Sequence, residues 1–144
     1  MKLQDIEDYR DLEKVDSRHF FDVFVPSEGS GMQDLHEGLH VLKGKGVFSW
    51  GCADELKELH EKYGLGMLVL DLGNVSWIDS PGLGAIMRAH LRSSRSRKSL
   101  RLCNLSNDVE VALTLSNAWT MMRRFDTLKD ALVAEQEPRK GLFF

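Results

Sequence analysis

Residues 69–86 read VLDLGNVSWIDSPGLGAI, an apolar run that breaks into IDSPGLG and then turns apolar again. Extended back to Met67, the run is continuously apolar to Leu70, the pattern of a strand buried on both faces of a sheet. After the break, Leu83, Ile86, Met87, His90 and Leu91 recur at the spacing of an amphipathic helix stripe. A strand therefore feeds directly into a helix, and Ser80 stands at the turn. Serine is a favoured N-cap, and proline suits the first helical position, where its missing N–H costs nothing. The local reading makes Ser80 the cap, Pro81 the first helical residue, and Gly82 and Gly84 points of close packing. A hydroxyl placed there could also attack a substrate or receive a phosphate.

The segments on either side repeat this alternation. His19–Val25 is aromatic and β-branched and predicts a strand, followed by loop residues from Pro26 to Gly31. Leu39–Lys43 predicts a second strand, ended by Gly44 and Gly46. Ala53, Leu56, Leu59 and Tyr63 share one helix face, with Gly64 placed to stop the helix. Leu100–Cys103 predicts a strand, and Asn107 with Glu110 a helix start whose apolar face is Val109, Ala112 and Leu113. A last short strand falls around Met121 and Met122. Thr127 with Asp130 forms a capping box for a helix bearing Leu128, Ala131 and Leu132. Upstream, Ile6, Tyr9 and Leu12 fit a short helix or an ordered arm. Strand–helix alternation calls for a sheet with crossover connections and helices packed against it.

Composition sets the outer bounds. The 144 residues suffice for one domain with a real core, and 42% hydrophobic with 28% charged residues is ordinary for a globular protein. The formal charge of −3 gives no reason to expect nucleic acid as partner. No apolar run approaches the roughly 20 residues that span a bilayer, and the charged start MKLQDIEDYRDLEKVD is unlike a secretory signal. Cys52 and Cys103 are far apart in sequence and fit a reducing compartment. The expected location is the cytoplasm.

Enzyme readings find little support. A nucleophile elbow needs G-x-S-x-G, and Ser80 is flanked at those positions by Ile78 and Gly82. The glycines of PGLG belong to no phosphate-cradling loop. His36-Glu37-Gly38-Leu39-His40 matches HExxH in form, but Gly38 interrupts it and strand-like residues follow, so the helix that a zinc site needs is absent. We expect no catalytic residue, no metal and no cofactor. The segment Arg88–Arg101, RAHLRSSRSRKSLR, is strongly basic; it reads either as a docking surface for an acidic partner or nucleic acid, or as a solvated helix end and loop.

The stretch from Val69 to Ile86 closely resembles the signature of the STAS family, the anti-sigma factor antagonist domains. Asp71, Leu72, Val75, Ile78, Asp79, Ser80, Gly82, Leu83 and Gly84 fall on that pattern. The likeness extends over about Leu39–Val133, through GVFSWGCADELKELHEKYG upstream and the closing strand, helix, short strand and helix downstream. It implies an α/β fold: a single STAS-type domain whose mixed, mostly parallel sheet has four to five strands, with about four helices packed against it. It divides the chain into an N-terminal extension (residues 1–18), the STAS domain (19–135) and a flexible tail (136–144).

In function the resemblance implies a switch. The unmodified protein binds an anti-sigma factor with serine kinase activity. Phosphorylation of the serine after the aspartate, here Ser80, releases it, and a phosphatase is a further partner. The implied partner surface comprises Asp79, Ser80, Pro81, Gly82 and Leu83, with Ser49, Trp50 and Trp77 nearby. Neither nucleic acid nor membrane insertion is implied. Two departures from the family pattern stand out: Pro81 replaces a second small polar residue, and Ser49 stands where an aspartate is usual. The alternative within the fold is a non-switching scaffold of a stress-signalling complex, or a regulatory subunit of an ABC-type transporter.

Overall fold

A computed structural model describes residues 9–31, 38–63, 66–95, 100–116 and 122–134. In chain order these form strands β1 (Leu12–Ser17), β2 (Phe21–Pro26) and β3 (His40–Phe48), helix α1 (Cys52–Tyr63), strand β4 (Leu68–Ile78), helix α2 (Ser80–Arg95), strand β5 (Leu100–Cys103), helix α3 (Asn107–Leu115), strand β6 (Arg123–Phe125) and helix α4 (Leu128–Val133). The sheet runs β1-β2-β3-β4-β5-β6. The β1–β2 and β2–β3 pairs are antiparallel, while β3 to β6 are parallel neighbours. The sheet thus has six strands among the described residues, against the four to five expected. Part of the excess comes from the N-terminal segment, which forms β1, within residues 1–18, rather than a short helix. Ile6 and Met121 lie outside the described residues.

The apolar run in β4 is buried on both faces, as its composition requires. Leu68, Leu70 and Leu72 join the core under α1 and α2, with Phe48, Leu56, Leu59, Ala85, Ile86 and Ala89. Met67 and Val69 point the other way, into a second core with Val41, Leu12, Leu128, Ala131 and Leu132. Side chains alternate across a strand, so one sequence run feeds both cores. Buried apolar surface contributes roughly 25 cal/mol per Å2, which makes these two layers the main stabilising term.

β3 does not stop at its glycines but runs to Phe48. Register shifts between Lys43 and Lys45, and between Gly46 and Val47, absorb them as local irregularities in the β3–β4 ladder. Gly44 is needed there for space: a Cβ would stand 2.5 Å from the Phe48 ring and 2.8 Å from Val75. The longer strand carries its C-terminal end level with that of β4, where Phe48 pairs with Ile78. That juxtaposition builds the site.

Polar contacts tie the N-terminal arm to the domain. The Tyr9 hydroxyl donates to buried Asp71 at 2.5 Å, and Asp71 also accepts from the Gly73 N–H at 2.9 Å and Asn104 Nδ2 at 3.1 Å. Asp16 of β1 accepts from the Tyr63 hydroxyl of α1 at 2.8 Å. That bond, with Arg18 and Lys62 beside it, holds the Asp16 carboxyl at about 2. Glu55 of α1 accepts from the His19 and Phe20 backbone N–H groups at 3.0 and 2.8 Å. At the HExxH-like stretch, His40 opens a strand rather than lying on a helix, while His36 and Glu37 fall outside the described residues.

Candidate functional site at the β3 and β4 carboxyl ends

Two strand-to-helix turns lie side by side because β3 and β4 are parallel neighbours. One leads from Phe48 through Ser49-Trp50-Gly51 into α1; the other leads from Ile78 through Asp79 into α2. The carboxyl ends of parallel strands are the usual place for sites in open α/β sheets, since the helix starts leave N–H groups and loop side chains exposed there.

Asp79, not Ser80, caps α2. Its Oδ1 accepts from the Gly82 N–H at 3.0 Å, and its backbone carbonyl accepts from the Leu83 N–H at 2.9 Å. Ser80 is consequently the first helical residue and Pro81 the second, one place later than the local pattern suggested. Both aspartate and serine are good caps, and with Asp79 available the carboxylate takes the stronger, charge-assisted bond. The Asp79 Oδ2 accepts from Ser49 Oγ, so the two turns are joined through their side chains. Ser80 is left exposed and free of the capping duty.

Gly82 is dictated by the packing of the two turns. A Cβ there would lie 2.4 Å from the Phe48 carbonyl oxygen. The Asp79 N–H donates to the same oxygen at 3.2 Å, so the α2 start is seated directly on the end of β3. Leu83 packs partly buried against the larger core. Behind the site, burial pushes the Cys52 thiol up to about 12, with the Glu55 and Asp79 carboxylates acting in the same direction.

Ser80 and Pro81 line an open groove of about 780 Å3 with Ser49, Trp50, Gly51, Ala53, Asp54, Lys57, Arg88 and Arg92. Trp50 is 82% exposed beside it. Of the sequence-predicted residues, Ser49, Trp50, Ser80 and Pro81 therefore share one surface, Asp79 organises it, and Gly82 and Leu83 support it from beneath. Trp77, 51% exposed, is not among the groove's lining residues; it pairs across the β3–β4 ladder with Val47, 48% exposed. Sequence reading missed the groove's remaining wall, Lys57, Arg88 and Arg92, because those side chains come from two helices that meet only in the fold. Arg88 and Arg92 were legible only as part of the basic run Arg88–Arg101.

The described residues contain no group of three or more metal-ligating side chains, and no helix among them is long and apolar enough to cross a membrane.

A six-stranded mixed sheet with its serine turn at the carboxyl end of a central strand defines an α/β domain of STAS type. Residues 35–131 match the family model of the STAS domain, and the chain belongs to that family. Among solved structures, it is similar to a Thermotoga maritima protein described as a candidate anti-sigma factor antagonist (24% identity, 67% of this chain and 86% of that one, TM-score 0.58). A sulfate transporter family protein from Wolinella succinogenes is comparably similar (24% identity, 67% and 83%, TM-score 0.61). So is the anti-sigma factor antagonist SpoIIAA in its unphosphorylated form (15% identity, 65% and 84%, TM-score 0.57). No curated protein matches the chain.

Proposed function

We propose that the protein is an anti-sigma factor antagonist. In this reading it binds an anti-sigma factor with serine kinase activity through the groove beside Ser80, and phosphorylation of Ser80 releases it. The observation that carries the reading is the division of labour at the turn. Asp79 caps α2, and the Ser80 hydroxyl stands exposed at its first helical position. The kinase would transfer the γ-phosphoryl group of ATP to Ser80 Oγ, with loss of the hydroxyl proton and release of ADP.

Modification there costs the fold little. The added charge of about −1.5 to −2 sits at the positive end of the α2 dipole, which favours an anion. Among the described residues, the exposed Ser80 hydroxyl has no hydrogen bond that must break. A partner covering the groove, by contrast, meets a bulky anion in its interface and is displaced without any refolding. Exposed Trp50 supplies the kind of aromatic anchor on which such interfaces depend.

The test is incubation of the protein and its Ser80→Ala variant with the cognate kinase and labelled ATP. Label in the parent and none in the variant supports the reading, and label in both overturns it. The likeness to a transporter-family structure favours a second reading, a non-switching STAS module serving a transporter or a signalling scaffold. Stable co-purification with a transport ATPase, and no kinase, would select it.

A further inference from the structure

The basic run from Arg88 to Arg101 divides in the fold. Arg101 is fully buried and donates from Nη1 to the Ala131 and Ala134 carbonyls at 2.7 and 2.8 Å, fastening α4 to β5. Arg88 and Arg92, one turn apart on α2, instead line the Ser80 groove opposite Lys57 of α1. A methyl group on Gly84 would touch the Arg88 guanidinium, 3.4 Å from Nη1, so this side chain folds back along α2 to within a turn of Ser80.

These cations are poorly satisfied. Arg92 Nε and Nη2 are buried with no hydrogen-bond partner. A guanidinium has only donors, so nothing but an acceptor can compensate its lost water. Burial, and then the charge of Arg88, pull the Arg92 pKa downward, against a smaller upward pull from the Glu61 carboxylate. Lys57 reaches Glu61 only at 4.0 Å, with both side chains well exposed. Against the three cations the groove wall offers one carboxylate, Asp54. The Asp79 carboxylate is already engaged by Ser49 and Gly82. A positive groove thus sits on a chain of net charge −3.

We infer that the groove receives an acidic peptide segment of the partner, its carboxylates pairing with Arg92 and Arg88 and a neighbouring apolar side chain resting on Trp50. The inference rests on the reading of this groove as the partner surface and names the chemistry that fits it. Lys57, Arg88 and Arg92 together supply the specificity, because the three cations line one groove wall and favour carboxylates over neutral or basic side chains. A phosphate on Ser80 enters the same groove and competes for the same cations. A nucleic acid would offer anions too, but the net charge of −3 on the chain disfavours a polyanion as the partner.

The test uses the full chain and a fluorescein-labelled peptide of glutamates interspersed with leucine and phenylalanine. Its lysine counterpart and a single-stranded oligouridylate serve as competing probes, all read by fluorescence polarisation. The acidic peptide is expected to bind at least about tenfold tighter than either, and progressively more weakly as salt shortens the screening length to about 10 Å and below. The Arg88→Gln/Arg92→Gln variant should lose at least about tenfold in affinity, while Lys129→Gln on α4 should bind as the parent does. If circular dichroism shows that the Arg92 change perturbs folding, Lys57→Gln/Arg88→Gln carries the same expectation. Equal binding of acidic and basic peptides, an unchanged affinity in the folded charge variant, or preference for the oligouridylate overturns the inference. The assay needs neither kinase nor phosphate, so its failure leaves the Ser80 labelling result standing. Absence of Ser80 labelling likewise leaves the peptide result standing.

Discussion

Replacing Gly82 by alanine probes the seat on which the site is built. The new Cβ would stand 2.4 Å from the Phe48 carbonyl oxygen, 2.8 Å from its carbonyl carbon and 2.9 Å from its Cβ. Two of these obstacles are backbone, which cannot swing aside as a flexible side chain would, so α2 must retreat from β3 by at least about 0.6 Å. Overpacking of this kind costs about 1–3 kcal/mol, and a backbone obstacle belongs at the upper end. Alanine returns about 0.5–1 kcal/mol of helix propensity, leaving a net loss of about 2 kcal/mol. For a chain of this length that corresponds to a fall in Tm of roughly 6–10 °C. Gly84→Ala is the matched control, since its Cβ meets only the far end of the Arg88 side chain at 3.4 Å. That variant should hold or gain stability, by about 0.5 kcal/mol. Thermal unfolding followed by circular dichroism reads both. Equal melting temperatures for Gly82→Ala and Gly84→Ala would refute the close seating of α2 on β3.

Other consequences are as specific. Asp79→Ala removes the α2 cap and leaves Ser49 without its acceptor, which should cost about 1–2 kcal/mol in chemical denaturation, whereas Ser80→Ala should cost less than about 0.5 kcal/mol. Asp16 has its folded pKa lowered from 3.8 to about 2, so its contribution is complete above the unfolded value and disappears as pH falls through the folded one. Solvent screening of this surface cluster reduces that contribution to about 1 kcal/mol. The parent should therefore lose stability between about pH 4 and pH 2 more steeply than Asp16→Asn, as urea midpoints across that range will show. With its thiol held at about 12, Cys52 should resist alkylation by iodoacetamide at neutral pH in the native state and react on unfolding, as intact-mass spectrometry would record.

Much of the fold was legible because its central elements obey one period each. Leu100–Cys103 was read residue for residue, and the Thr127 cap of α4 accepts the Asp130 N–H as its spacing predicted. The misses share a physical cause: local signals were ambiguous and a tertiary contact decided them. Gly44 and Gly46 read as a strand end, yet one fits against Phe48 and the other takes φ +76° within a continuing strand. Asn107 does open α3 as its spacing with Glu110 predicts, and the cap one place earlier is Ser106, which accepts the Val109 N–H. At IDSPGLG two adjacent residues could each cap a helix. The partnership of Asp79 with Ser49, from a turn thirty positions earlier in the chain, settled which one does. The centre of the candidate site was visible as a motif, while its cationic wall was not. No spacing rule connects Lys57 to Arg88 and Arg92 before α1 and α2 pack together.

The central claim is that an anion on Ser80 ejects whatever covers the groove, without disturbing the fold. Its most direct measurement is a calorimetric titration of the cognate anti-sigma factor with the unmodified protein and with protein carrying phosphoserine at Ser80. The account predicts that phosphorylation weakens binding more than a hundredfold, about 3 kcal/mol, with both forms equally folded by circular dichroism. Equal affinities for the two forms would contradict it.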